Sequence, residues 1–261
     1  MASVSEPAES ATPVRHFDPR MDGGFKDKPV IGVITLSTDC ITEHELRLMA
    51  PADQVVTSAT RIKTTNPLTV ASLRAHVGEI SNAVRLFDPI ETVNVFAYAC
   101  TSGSAVNSLD DLTRGVRDAG SSAPITAPMP GAIAAFKALD VRRIAMLTPY
   151  PDEVTLFMRD HLAKNGIEVV SFGSFHFDID YEMAGISPQS MIEAATALDR
   201  PEAQAIFLPC TGLRASSAIP ALEAKLGKPV VTAHQAMLWH AVRLAGFADL
   251  RLPRCGQLFQ R

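Results

Sequence analysis

Two cysteines in this chain occupy the same setting. Val95-Phe96-Ala97-Tyr98-Ala99-Cys100-Thr101-Ser102-Gly103-Ser104 is an apolar run that ends in Cys-Thr and small polar residues. Ile206-Phe207-Leu208-Pro209-Cys210-Thr211-Gly212-Leu213-Arg214 repeats the design about 110 residues later. Each cysteine stands where a buried strand stops and a loop or helix starts, the place where parallel α/β proteins put their chemistry. Equivalent thiols from equivalent halves suggest one site with a sulfur on each side of the substrate. A planar carbon intermediate is then open to approach from both faces.

The residues around the thiols suit an anion. Helical stretches are predicted over Ala105–Gly120 and Ala215–Leu226. Backbone N–H groups at a helix start favour an anion and lower a thiol's pKa. A carboxylate would be gripped there by N–H groups and the hydroxyls of Thr101 and Ser102, with Thr211 and Gly212 opposite. Tyr150, ending another strand in Thr148-Pro149-Tyr150, adds a phenolic donor. Cys40 has no counterpart in the second half and is expected to be structural or a bystander, and Cys255, near the C-terminus, is expected to be unrelated. His234 reads as a polar helix start, Asp39 as a possible cap of the helix at Thr42, and Glu43-His44-Glu45 as a solvated face.

The elements that must position these groups repeat as well. Residues 1–27 are polar and read as a tail. Strands are expected at Val30–Thr35, Gln54–Thr60, the first Cys run and Pro124–Thr126, with helices at Thr42–Ala50, Thr69–Phe87 and Gly131–Leu139. The second half matches, with strands at Ile144–Thr148, Glu168–Phe172, the second Cys run and Pro229–Thr232. Its helices fall at Asp152–Asn165, Pro188–Leu198 and His234–Leu244. This alternation predicts an α/β fold with parallel sheets, covered on both faces where strands are continuously apolar. Two lobes, each a four-stranded parallel sheet flanked by helices and related by a pseudo-twofold, account for the recurrence of site residues better than a closed eight-stranded barrel. The expected division is 28–129 plus about 235–261 for one lobe and 130–234 for the other.

Composition narrows the function classes. The net charge of −4 and pI of about 6.0 give no footprint for nucleic acid or a membrane surface. No apolar run approaches the roughly 18 residues of a spanning helix, and no signal peptide is visible. Four cysteines without short pair spacing read as reduced cytoplasmic thiols. No C-x-x-C or H-x-x-x-H spacing suggests a metal, and no Gly-x-Gly-x-x-Gly or Walker pattern suggests a nucleotide. A homo-oligomer acting on a small carboxylate, with no nucleotide cofactor, is expected.

Cys100-Thr101-Ser102, Leu147-Thr148-Pro149-Tyr150 and Cys210-Thr211-Gly212-Leu213-Arg214, in this order, resemble the aspartate/glutamate racemase superfamily. Within it the chain is similar to the maleate cis–trans isomerase and arylmalonate decarboxylase branch, and most similar to the ectoine-utilisation protein A group. The resemblance covers about Lys28 to the C-terminus. It implies two α/β lobes and a cleft site without cofactor. It also implies Cys100 and Cys210 as catalytic residues and a carboxylate pocket from Thr101, Ser102 and Tyr150. Both cysteines are present, which favours a racemase or isomerase over a decarboxylase of malonate-type acids; a catalytically idle carboxylate-binding protein is the alternative of another class. Maleate isomerases carry Asn after the first strand, where this chain has Asp39, and a second pocket Asn near Asp180 or Tyr181. An ionised Asp39 would repel a second carboxylate and suit an ammonium or amide, as in an amino-acid derivative of ectoine breakdown.

Overall fold

The computed structural model describes residues 14–66 and 69–260. Of the expected tail, 1–13 lie outside the described residues, and 14–27 are exposed with only a turn near Gly24. Four β-strands make the first sheet: β1 (Val30–Leu36), β2 (Val56–Ile62), β3 (Val95–Tyr98) and β4 (Ile125–Thr126). Four more make the second: β5 (Arg143–Thr148), β6 (Glu168–Ser174), β7 (Ala205–Leu208) and β8 (Val230–Thr232). The strand orders β2-β1-β3-β4 and β6-β5-β7-β8 are the same arrangement twice, parallel throughout. Two open sheets replace the rival closed barrel. The Cys-bearing strands β3 and β7 are central and buried along their length, as continuous apolar runs covered on both faces must be.

Helices α1 (Thr42–Met49), α2 (Val70–Val84), α3 (Thr101–Val106), α4 (Leu109–Asp118) and α5 (Pro128–Ala138) connect the first set. Helices α6 (Asp152–Lys164), α7 (Pro188–Leu198), α8 (Ile219–Leu226) and α9 (Ala233–Leu244) follow. Three expected boundaries shift for local reasons. The stretch after Cys100 is two helices, because Ser108 caps a new one by accepting from the Asp111 amide at 3.1 Å while Asn107 donates to the Leu73 carbonyl at 2.8 Å. The stretch after Thr211 opens with a 3₁₀ turn at Ser216–Ala218 before α8, and Gly227 closes α8 with φ 65°. Strand β2 starts two residues late, since the Gln54 and Val55 amides close a turn on the Pro51 carbonyl.

The halves are packed as one core. Helix α9, which follows the second sheet, lies along α5 and also touches β3, β4 and α1. A Cβ on Gly131 of α5 would sit 2.6 Å from the Ala236 carbonyl oxygen, so glycine is what permits this close approach. Buried residues from both sheets, such as Ile31, Val95, Met146 and Phe207, belong to one apolar cluster. Glu45, expected on a solvated face, is instead 1% exposed. Its carboxylate accepts from the Ser216 amide at 2.7 Å and hydroxyl at 3.0 Å, tying α1 to the second half. Among the described residues no helix is long and apolar enough to cross a membrane.

Candidate active site

The C-terminal ends of β1, β3, β5 and β7 converge on one small cavity of about 40 Å³. All eight residues singled out from the sequence line it: Asp39, Cys100, Thr101, Ser102, Tyr150, Cys210, Thr211 and Gly212. Cys40, expected to be a bystander, also borders it, on the exposed side. Cys255 lies elsewhere, buried, its thiol donating to the Met49 carbonyl at 3.4 Å.

The two thiols are held differently. Cys100 is itself the N-cap of α3, its Sγ accepting from the Gly103 amide at 3.3 Å with Ser102 Oγ at 3.8 Å. No α-helix starts directly after Cys210; its Sγ accepts from the Gly212 amide at 3.1 Å within a turn and faces Met183 Sδ at 3.8 Å. Helix-start amides were expected to lower the thiol pKa values. Burial outweighs them. It raises Cys100 above its ordinary value despite help from Gly103, Tyr98 and Ser102. It pushes Cys210 up to about 12 despite hydrogen bonds from Tyr150 and Gly212. The Asp39 charge adds to both rises, and Cys100 and Cys210 are close enough that charge on the first raises the second. Both groups therefore rest as thiols near neutral pH.

The oxygen donors sort into occupied and free. Thr211 donates to the Ala99 carbonyl at 3.2 Å, which spends its hydroxyl on joining the halves beside Cys100. The Gly212 amide is spent on Cys210. Thr101 is 1% exposed and its Oγ1 makes no hydrogen bond within the fold. Tyr150 is buried, and burial, then its closeness to Cys210, raises its pKa well above the ordinary value, so it is a neutral donor. Thr155 and Ser174 both hydrogen-bond the Tyr150 carbonyl and fix its backbone. Thr101, Ser102 and Tyr150 are thus the groups able to receive a carboxylate.

The opposite wall is acidic. Asp39 Oδ1 accepts from the Ile41 and Thr42 amides at 2.8 and 2.9 Å, capping α1 as one sequence reading held. Its Oδ2 is buried without a partner. Asp180, from the segment after β6, accepts from Thr38 and, at 2.8 Å, from Asn66 of the first half. No lysine or arginine is among the lining residues. A larger cavity of about 590 Å³, lined by apolar side chains of α2 and α6 such as Leu73, Leu156 and Phe157, shares Ser102 with the first. Among the described residues no three His, Cys, Asp or Glu side chains gather as a metal ion would require. His234, as expected, sits at a helix start, buried and bonded to Thr42 at 2.9 Å. Met183 and the buried His76–Tyr98 pair escaped the sequence reading. Tyr98 was detectable as a polar departure from the repeat, which has Leu208 at the matching position.

The family model for arylmalonate decarboxylase matches residues 99–259. The arylmalonate decarboxylase of Bordetella bronchiseptica is 32% identical over 165 residues, 60% of this chain. The match spans 65% of that relative's length, just under two thirds. A maleate isomerase of Pseudomonas putida is 25% identical over 219 residues, 78% of this chain and 86% of that one. The same fold occurs in a Nocardia farcinica maleate cis–trans isomerase variant with a covalently bound succinylcysteine intermediate. Its TM-score is 0.80 at 20% identity, covering 89% of this chain and 99% of that one.

Proposed function

This chain belongs to the arylmalonate decarboxylase family, and from that premise we propose that it is a cofactor-independent isomerase or racemase of a small carboxylic acid, with Cys100 and Cys210 as its catalytic pair. The observation that carries the reading is two buried thiols, delivered by equivalent strand ends, bordering one cavity together with the unpartnered hydroxyl of Thr101. Either chemistry needs one thiolate and one thiol. In proton transfer the thiolate takes the α-hydrogen, the electron pair delocalises into the carboxylate, and the opposite thiol protonates the other face. In cis–trans isomerisation the thiolate adds to one alkene carbon, the resulting single bond rotates, and the sulfur leaves with its electron pair. Thr101, Ser102 and Tyr150 hold the carboxylate in both cases, with hydrogen bonds that strengthen as charge builds on it. The maleate isomerase relatives and the succinylcysteine in a protein of the same fold support this reading.

The substrate carries a cationic or amide group opposite its carboxylate. Asp39 lines the cavity with one carboxylate oxygen buried and unpartnered, Asp180 lines it too, and none of the lining residues is basic. An amino-acid derivative, of the kind met in ectoine breakdown, fits that polarity better than a dicarboxylate. The four free thiols suit a reducing cytoplasm, and 28–129 with 235–261 forms one lobe facing 130–234. A second reading, decarboxylation of a malonate-type acid, is favoured by the apolar cavity that meets Ser102, since an aryl group needs such a wall. Incubating the protein in D₂O with maleate, phenylmalonate and N-acetyl-diaminobutyrate separates the readings. Deuterium entering at an α-carbon supports the racemase, fumarate the isomerase and CO₂ release the decarboxylase. Conversion that survives in both Cys100→Ala and Cys210→Ala overturns the two-thiol reading.

A further inference from the structure

The proposed chemistry needs a thiolate, and burial favours the protonated form of both thiols, so the proton needs a path out of the buried site. Behind Cys100 lies a buried line of polar groups. Tyr98 is fully buried on β3, two residues before the cysteine. Its phenol reaches Cys100 and eases deprotonation there. A Cβ on Gly103 would overlap the Tyr98 hydroxyl and sit 2.9 Å from Cys100 Sγ, so glycine is what leaves room for both groups beside it. The Tyr98 hydroxyl is 2.7 Å from His76 Nδ1, and His76 Nε2 is 3.0 Å from Thr64 Oγ1. His76 is 2% exposed on α2, whereas Thr64 follows β2 and is half-buried. The line therefore runs from the thiol to the protein surface.

The internal repeat supplies a control. The residue two before Cys210 is Leu208, fully buried in the apolar cluster. Among the described residues no histidine stands behind that thiol at the place of His76. A polar line that served only the fold would have no reason to appear behind one thiol alone.

We propose that Tyr98, His76 and Thr64 are a proton relay that charges and discharges Cys100. The step rests on the reading of Cys100 as chemically active. The Cys100 S–H bond breaks and its proton joins the Tyr98 oxygen. The Tyr98 O–H proton passes to His76 Nδ1, whose lone pair forms the new bond. The sulfur keeps the electron pair and Tyr98 stays neutral. The His76 Nε2 proton then leaves through Thr64 to solvent, returning a neutral ring. Tyr98 and His76 act through Cys100 and are positioning residues. The groups facing the thiol are Tyr98 and Ser102 from its own half, Tyr150 and Cys210 from the other, and Asp39, whose charge opposes ionisation. His76 faces Tyr98 and Thr64, and burial holds it neutral.

The test is residue-resolved alkylation of the full chain by iodoacetamide, followed by mass spectrometry. At about pH 7.5, below the ordinary thiol range, Tyr98→Phe and His76→Asn slow Cys100 by about tenfold, one unit of thiol pKa. Asn at position 76 still accepts from Tyr98 but cannot pass a proton. Cys210 in the same samples stays within about twofold, and the Cys100 difference narrows as the pH rises through the thiol's own titration, where wild type and variant both approach full ionisation. Thr64→Val, at the half-buried end, slows Cys100 in the same sense and covers the case in which a buried substitution fails to fold. Cys100 reacting at the wild-type rate in His76→Asn and Thr64→Val overturns the relay, as does Cys210 slowing in step. Alkylation needs no substrate, so a failed relay and a failed catalytic reading are told apart by whether Cys100→Ala abolishes turnover.

Discussion

Asp39 divides its carboxylate between two surroundings, one oxygen on the start of α1 and the other buried without a partner in a residue that lines the cavity. Asn in its place keeps the capping oxygen and removes the charge. Two outcomes are expected of Asp39→Asn. Maleate turnover at neutral pH rises by about tenfold or more, since a like charge a few ångströms away in a poorly screened site costs over 1 kcal/mol. Both thiols ionise more readily, since that charge raises each of them. A maleate assay with parallel alkylation rates checks both. Equal turnover and equal rates in the variant would place the charge outside the chemistry. Cys100→Ala and Cys210→Ala each lower turnover by roughly 10²–10⁴-fold, the usual contribution of a proton-transfer group. Cys255→Ala, far from the cavity, stays within about tenfold of wild type by the same assay.

The helices decide how well such side chains are aimed. Gly131→Ala puts a methyl group 2.6 Å from the Ala236 carbonyl and forces α5 off α9. Overpacking of that kind costs about 1–3 kcal/mol, measurable by urea denaturation. Glu45→Ala strips the Ser216 amide and hydroxyl of their acceptor. Buried donors left unmatched cost about 2 kcal/mol or more, and the cavity loosens because α1 carries the Asp39 cap. Short continuous apolar runs made the strands legible from sequence, and the repeated Cys-Thr motif marked the end of the sheets where the site lies. Glu45 was misread because three consecutive polar residues resemble a solvated face. Its spacing with Ile41 and Met49, one helical turn each way, was the opposing signal. His76 was illegible in principle: one histidine within a helix carries no pattern, and only the fold brings it to Tyr98. The Thr211 hydroxyl looked free for substrate because the Ala99 carbonyl it joins is distant in sequence.

As a whole, the molecule buries groups that resist charging at both ends of the pH scale. His76, His234 and His240 are held below their ordinary 6.5 mainly by burial. Unfolded chains take up those protons first, so stability is present above about 6.5 and falls as pH drops through the folded values. Cys210 and Cys255 are raised from 9.0 to about 12. Here the unfolded chain loses protons first, so stability holds below about 9 and falls as pH rises toward 12. Thermal melting from pH 5 to 11 is expected to show a plateau between those limits, and a melting temperature still rising at pH 10 would contradict it. The neutral character of the cavity's donors reaches further than selectivity. A carboxylate entering this chain meets hydroxyls and amide dipoles, and no lysine or arginine among the lining residues. The net charge of −4 offers no long-range attraction either. Dipoles act over a few ångströms and are little affected by a Debye length of about 8 Å. Ionic strength is therefore expected to leave KM for an anionic substrate unchanged, or to lower it as the acidic wall is screened, from about 10 to 500 mM salt, where a guanidinium-clamped site would weaken steadily.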